Sequence, residues 1–244
     1  MLRRVFILGA GAAACAPRAI TLDDVIARHT EARGGAAALD AVRTLRNEAE
    51  VVEPSFTVRG PYIASADGLM RVDISLGDEC VFSEGIDRAG AWSWQQGGAP
   101  EPASPTGSSA LRHGIEFNVF GLHRFAERGH TLTLEGVEEF NGTQCHVIKV
   151  VMNDGFETYR FIDANTWMMV GSRDVRAVHP DIDATEIVLG NEYSDFRAVD
   201  GVTSSFAWLQ RNLTTGEVVQ TGTVLSLAYN PALTDADFDR NRRV

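Results

Sequence analysis

Lysine is almost missing from this 244-residue chain: Lys149 is the only one among 22 basic residues, and the others are arginine. Acidic residues bring the formal net charge to -11, which argues against a nucleic-acid partner and against electrostatic docking on anionic lipid. Long apolar runs are also missing, and no stretch reaches the roughly 18 residues that a membrane-spanning helix requires. Cysteine is scarce, with three residues, and no Cys/His spacing matches a zinc site. The sequence has no Gly-x-Ser-x-Gly elbow and no plausible Cys/His nucleophile pair, so an enzymatic reading has no motif behind it. No metal and no cofactor are expected. What remains is ordinary for a globular protein, 44% hydrophobic and 23% charged, and long enough for one sizeable core.

The first nineteen residues read as an export signal. Leu2-Arg3-Arg4 is a short basic head, a small and apolar run follows from Val5 to Ala14, and Cys15, Ala16 and Pro17 close it. Arg3-Arg4-Val5-Phe6-Ile7 resembles a twin-arginine motif. Ala13-Ala14-Cys15 resembles the end of a lipobox, in which Cys15 is acylated and becomes the new N-terminus. Cleavage after Ala16 or Ala19, giving a soluble protein, is the alternative. Gly9 to Ala14 also fits a dinucleotide fingerprint, but Pro17 interrupts the helix that such a motif needs and no βαβ pattern follows. In an oxidising compartment Cys80 and Cys145 could pair, or each could be a buried free thiol in a strand.

The rest, residues 20–244, reads as one domain. Thr21-Leu22-Asp23-Asp24 looks like a capped helix start, with Gly34-Gly35 as its stop and a second short helix over Ala36 to Val42. From Leu45 onward the hydrophobic period is near two. Asp67-Gly68, Asn141-Gly142, Asp154-Gly155, Asp200-Gly201 and Thr215-Gly216 punctuate it as hairpin turns. About ten strands are expected, nearly all joined as hairpins. Gly97 to Ser109 is Pro/Gly/Ser-rich and reads as a mobile loop. Ser109 to Arg128 carries Leu111, Ile115, Val119, Leu122 and Phe125 at helical spacing, with breaks expected at Gly114 and Gly121. The expected fold class is mainly β: a single curled antiparallel sheet, an incomplete β-barrel, with helices 22–42 and 109–128 against its concave face.

Four segments, taken in order, resemble the outer-membrane lipoprotein-sorting (LolA/LolB-like) family. They are Glu31-Ala32-Arg33-Gly34-Gly35 through Leu45-Arg46; Leu134-Glu135-Gly136-Val137-Glu138 with Asn141-Gly142; Asp154-Gly155 with Tyr159 to Ala164 and Thr166; and Tyr193 to Arg197 with Val199-Asp200-Gly201-Val202, ending at Asn230-Pro231. The resemblance implies a half-barrel whose apolar cavity takes lipid or lipoprotein acyl chains.

Trp92/Trp94, Tyr159/Phe161, Trp167/Met169 and Phe206/Trp208 are each spaced by two, so each pair shares a face of its strand. Joined to the resemblance, that spacing nominates Trp94, Phe161, Met169, Phe206 and Trp208 as a cavity lining, with Phe117 and Phe120 in its cover. Packed core of a sheet against helices is the plainer reading of each of these residues. Other candidates are weaker. Asp181, Asp183 and Glu186 lack the glycine and oxygen count of a calcium loop, and His113, His123 and His130 lack metal-ligand spacing. His179-Pro180-Asp181, which resembles a J-domain tripeptide, lies outside any helical hairpin and reads as a turn. Glu116, Glu157 and Asp163 are expected to be solvated or paired with arginines such as Arg160. The leading expectation is a binding protein of the bacterial cell envelope, periplasmic or anchored at the outer membrane through lipid on Cys15. The alternatives are a structural or adaptor lipoprotein with a self-filled core, and an envelope hydrolase of unrecognised type.

Overall fold

The computed structural model describes residues 18–242. The twin-arginine pair, the glycine run from Gly9 and Cys15 lie outside the described residues.

Two meanders make the sheet. The first runs through β1 (Thr44–Glu53), β2 (Phe56–Ser65), β3 (Met70–Leu76), β4 (Glu79–Asp87), β5 (Gly90–Gln95) and β6 (Glu101–Pro102). The second runs through β7 (Thr131–Phe140), β8 (Thr143–Val151), β9 (Glu157–Asp163), β10 (Met169–Arg176), β11 (Ile187–Val199), β12 (Val202–Asn212) and β13 (Val218–Tyr229). β1 pairs with β13, so all thirteen strands form one unclosed antiparallel sheet with β6 and β7 as its edges. The count exceeds the ten or so expected because segments such as β6, two residues long, are too short to show alternation.

The hairpin register follows from the turn residues. Gly68, Gly142, Gly155, Gly201 and Gly216 all adopt positive φ, between 79° and 92°. At Asn141-Gly142 and Asp200-Gly201 both residues are left-handed, which matches the twist of the strands they join.

The helices begin where capping chemistry places them. In α1 (Leu22–Ala32) the Thr21 hydroxyl accepts the Asp24 N–H while the Asp24 carboxylate accepts the Thr21 N–H. α2 (Ala36–Asp40) follows directly. α3 (Pro105–Val119) starts inside the segment expected to be a loop, because Ser104 accepts the Gly107 N–H at 3.0 Å and Pro105 fills the first helical position. Gly114 does not break α3; its cost in a helix interior, about 1 kcal/mol, is met by the surrounding turns. Gly121 does mark the end, followed by a 3₁₀ turn at Leu122–Arg124. α3 carries the chain from one sheet edge, β6, to the other, β7, and so spans the inner face.

Helix packing makes two separate inner cores. Leu111, Ile115 and Val119 of α3 pack with Leu45, Ala64 and Met70 of β1 to β3. Val25 of α1, with Leu122 and Phe125, packs on Ile148, Val150 and Ile162 of β8 and β9. On the outer face, α4 (Asp235–Phe238) seats Phe238 on Ile63 and Leu69. Beside it the buried Arg71 binds Asp73 and donates to the backbone oxygens of Asp239 and Arg242 at 2.6 and 2.9 Å.

Candidate ligand-binding cavity

Between the two inner cores the side chains of the described residues leave the concave face unfilled, and a cavity of about 1040 Å³ remains under α3. That is the upper end of the usual range for small-molecule sites. Strand alternation supplies the wall: Ala49 and Val51 of β1, Val58 and Tyr62 of β2, Val72 and Ile74 of β3. Phe56, Leu76 and Ile182 line it too and are exposed, so they mark the mouth at one end of the half-barrel. The loop between β10 and β11 crosses this mouth. His179 Nε2 lies 3.0 Å from Glu53 Oε1, and Asp181 Oδ1 accepts the Ser104 N–H at 3.1 Å. Asp183 accepts the Thr185 N–H at 2.9 Å, so the acidic residues of this loop shape it. Among the described residues, no group of three His, Cys, Asp or Glu side chains could hold a metal ion.

Polar groups gather on the wall formed by β9 to β12. Arg160 is buried, and its guanidinium lies 3.6 Å over the Phe117 ring. Burial lowers the pKa of Arg160 from the ordinary arginine value. Opposite it on β10, Ser172 accepts from Asn191 Nδ2 at 2.9 Å and lies 3.3 Å from the Tyr193 hydroxyl. Elsewhere in the wall, burial pushes Glu84 up to about 7, helped by the nearby Asp181 charge. Burial, reinforced by Arg33, pulls His29 down to about 4 while its Nδ1 meets the Trp167 carbonyl at 2.8 Å.

The open antiparallel sheet with its inner helices has counterparts among solved structures. A DUF1329 family protein from Desulfovibrio piger matches with a TM-score of 0.61 at 12% identity, covering 89% of this chain and 97% of that one. A putative outer membrane lipoprotein-sorting protein domain from Vibrio parahaemolyticus gives 0.60 at 13% identity, covering 88% and 95%. A LolA superfamily protein from Nitrosomonas europaea gives 0.59 at 12% identity, covering 91% and 98%. This chain has the LolA-like fold. No protein-family model matches it, and no curated protein matches it in sequence. At such identities the likeness is one of fold alone.

Within this LolA-like half-barrel, Phe117, Met169 and Trp208 line the cavity. The other four nominated residues do not. Phe161 is on the outer face, stacked on Phe140 at 4.5 Å with Cys145 and Val147, because its neighbours Arg160 and Ile162 point inward. Trp94 shares the outer face with Trp92, and its indole N–H donates to the Gly98 carbonyl. Phe120 ends α3 beneath the Arg128 guanidinium, 3.5 Å from its ring. Phe206 is buried with the Arg197 guanidinium 4.6 Å from its ring. Two-residue spacing identifies residues that share a face and does not say which face. Sequence reasoning missed the inward set Arg160, Asn191 and Tyr193; the only signal was the arginine alternating with aromatics in Tyr159-Arg160-Phe161.

The titratable residues weighed for catalysis have other partners. Glu116 binds Arg128 at 2.6 Å and Glu157 binds Lys149 at 2.9 Å, while Asp163 accepts from Asn165 and Thr166. None of the three pairs with Arg160. Ser109 and His113 both reach Asp154, at 2.7 and 2.8 Å, which puts the carboxylate in the middle. A nucleophile relay needs the imidazole there. Among the described residues Cys80 and Cys145 do not pair, and burial pushes Cys145 up to about 11, far from a reactive thiolate.

Proposed function

We propose that this protein binds an acyl chain of a lipid or lipoprotein in its half-barrel, and that it does so in the bacterial cell envelope. The observation that carries the reading is the space itself: about 1040 Å³ under α3 that the side chains of the described residues leave open. A self-filled structural core would have closed it, since protein interiors pack nearly as densely as crystals. Each methylene that enters such a wall gains about 0.8 kcal/mol, so a long chain binds without any directional contact. Phe117, Met169 and Trp208 form the aromatic and thioether part of the lining, and the exposed Phe56, Leu76 and Ile182 give an apolar path in from the mouth.

Residues 20–244 act as one binding domain rather than as an enzyme, and residues 1–19 hold the export signal, which ends before Cys15. Acylation at Cys15 then anchors it to the membrane, with the periplasm as its place of work. The lipoprotein-sorting name carried by the Vibrio parahaemolyticus neighbour is in keeping with a role in envelope lipid or lipoprotein trafficking. The test is native mass spectrometry of gently purified protein, followed by organic extraction. A discrete adduct that moves into the organic phase as an acyl lipid is the expected result. A bare polypeptide mass that also takes up no fluorescent fatty acid at micromolar concentration rules the reading out.

A further inference from the structure

We propose that the bound amphiphile is acidic, with its carboxylate or phosphate received by the Arg160 guanidinium while its chain lies along the aliphatic wall of β1 to β3. This rests on the acyl-binding reading above and names the head group that the same cavity selects.

The first observation is an unsatisfied cation. Arg160 is 5% exposed and lines the cavity, yet its Nε is buried without a hydrogen-bond partner among the described residues. A buried charged donor without an acceptor is costly, and native proteins rarely leave one. The Phe117 ring covers one face of the guanidinium at 3.6 Å. That contact uses the π-face and leaves the in-plane Nε–H open to an acceptor. A guanidinium with a free in-plane donor suits a carboxylate or phosphate oxygen.

The second observation is the local charge balance. Tyr193 and Asp174 both act on Arg160, Tyr193 also as a side-chain hydrogen-bond partner, while Asp174 Oδ1 lies 3.2 Å from Arg176 Nε and its Oδ2 accepts from Thr158 Oγ1. The one carboxylate near Arg160 is thus shared with a second guanidinium.

The third is the row in which Arg160 stands. Cross-strand pairing sets Arg160 opposite Ser172, Ser172 opposite Asn191, Asn191 opposite Gln210 and Gln210 opposite Gln220. Gln210 Oε1 is likewise buried without a partner. A polar band therefore crosses one side of the inner face while Val51, Val58, Val72 and Ile74 form the other side. An acidic lipid matches both halves. A neutral acyl chain, such as those on a lipoprotein's N-terminal cysteine, leaves Arg160 desolvated and unpaired.

The experiment displaces the neutral fluorophore N-phenyl-1-naphthylamine at pH 8 with laurate, dodecyl phosphate, dodecanol or inorganic phosphate. It uses the wild type, Arg160→Met and Arg160→Lys. The wild type is expected to bind the two acids about tenfold or more tightly than the alcohol, and inorganic phosphate alone is expected to displace nothing. In Arg160→Met that ratio falls to about one while dodecanol binds as well as before or better; Arg160→Lys keeps part of the preference. Equal affinity of the wild type for acid and alcohol overturns the head-group assignment and leaves the acyl cavity standing. Displacement by inorganic phosphate also overturns it, in favour of a free-anion site. No displacement by any long-chain compound removes the cavity reading and this one together. If Arg160→Met fails to fold, the wild-type ratio and Arg160→Lys decide the matter.

Discussion

Gly222→Ala probes the cavity wall at the point where it is tightest. Gly222 on β13 lies directly opposite Trp208 on β12, and the indole rests on the bare backbone. A Cβ at position 222 would stand 1.9 Å from Trp208 Cζ2 and 2.1 Å from Cε2. Real contacts of this kind do not fall below 3 Å, so the ring must shift by more than an ångström. Small-to-large changes in packed interiors cost roughly 1–3 kcal/mol. Here the ring borders open space and can swing into it, so about 1 kcal/mol is expected, with a smaller cavity as the result. In a Trp208→Ala background the clash disappears, and alanine is then neutral or stabilising by about 0.5 kcal/mol, since glycine is unfavourable within strands. The coupling energy of the cycle should therefore be about 1–2 kcal/mol. Urea unfolding of the four proteins, followed by far-ultraviolet circular dichroism, measures it. A Gly222→Ala cost that is the same in both backgrounds refutes the placement of the indole over the glycine.

Three other outcomes are expected. Phe161→Ala should lower stability by about 3–5 kcal/mol, seen as a shift in urea midpoint, and leave fatty-acid affinity nearly unchanged, because Phe161 packs outside the cavity; a parallel loss of affinity would place it inside after all. His29 is held neutral, with its pKa near 4 against an ordinary 6.5. Its contribution is therefore complete above pH 6.5, fades as the pH falls and is lost by about pH 4, at most about 3 kcal/mol, so His29→Gln should flatten the stability profile between those limits; an unchanged slope contradicts the assignment. Labelled palmitate should enter the protein in vivo and be absent from Cys15→Ala, and equal labelling of both would dismiss the anchor.

The parts of the fold that could be read from sequence are those fixed by local chemistry. Thr21 and Asp24 announce α1, and five glycine-containing dipeptides announce hairpins because only certain residues tolerate positive φ. Gly114 misleads for the opposite reason: a glycine inside a helix is cheap enough for packing to override. The cavity was less legible because alternation fixes a pairing of faces and leaves their direction to the tertiary structure. Tyr159 and Phe161 share a face, as their spacing says, but the sheet turns that face outward and Arg160 inward. The only hint of Arg160's place is its alternation with Tyr159 and Phe161, which a solvated strand arginine shows equally well. In the folded chain Phe117 of α3 covers its guanidinium.

Fluorescence quenching by a brominated fatty acid tests the cavity claim most directly. Trp208 lines the cavity, whereas Trp94 lies on the outer face with its N–H bonded to the Gly98 carbonyl. Saturating the wild type with the brominated acid should remove a fraction of the emission, Trp208→Phe should abolish most of that loss, and Trp94→Phe should leave it as it was. Quenching that persists in Trp208→Phe and disappears in Trp94→Phe would place the chain outside the half-barrel and contradict the account.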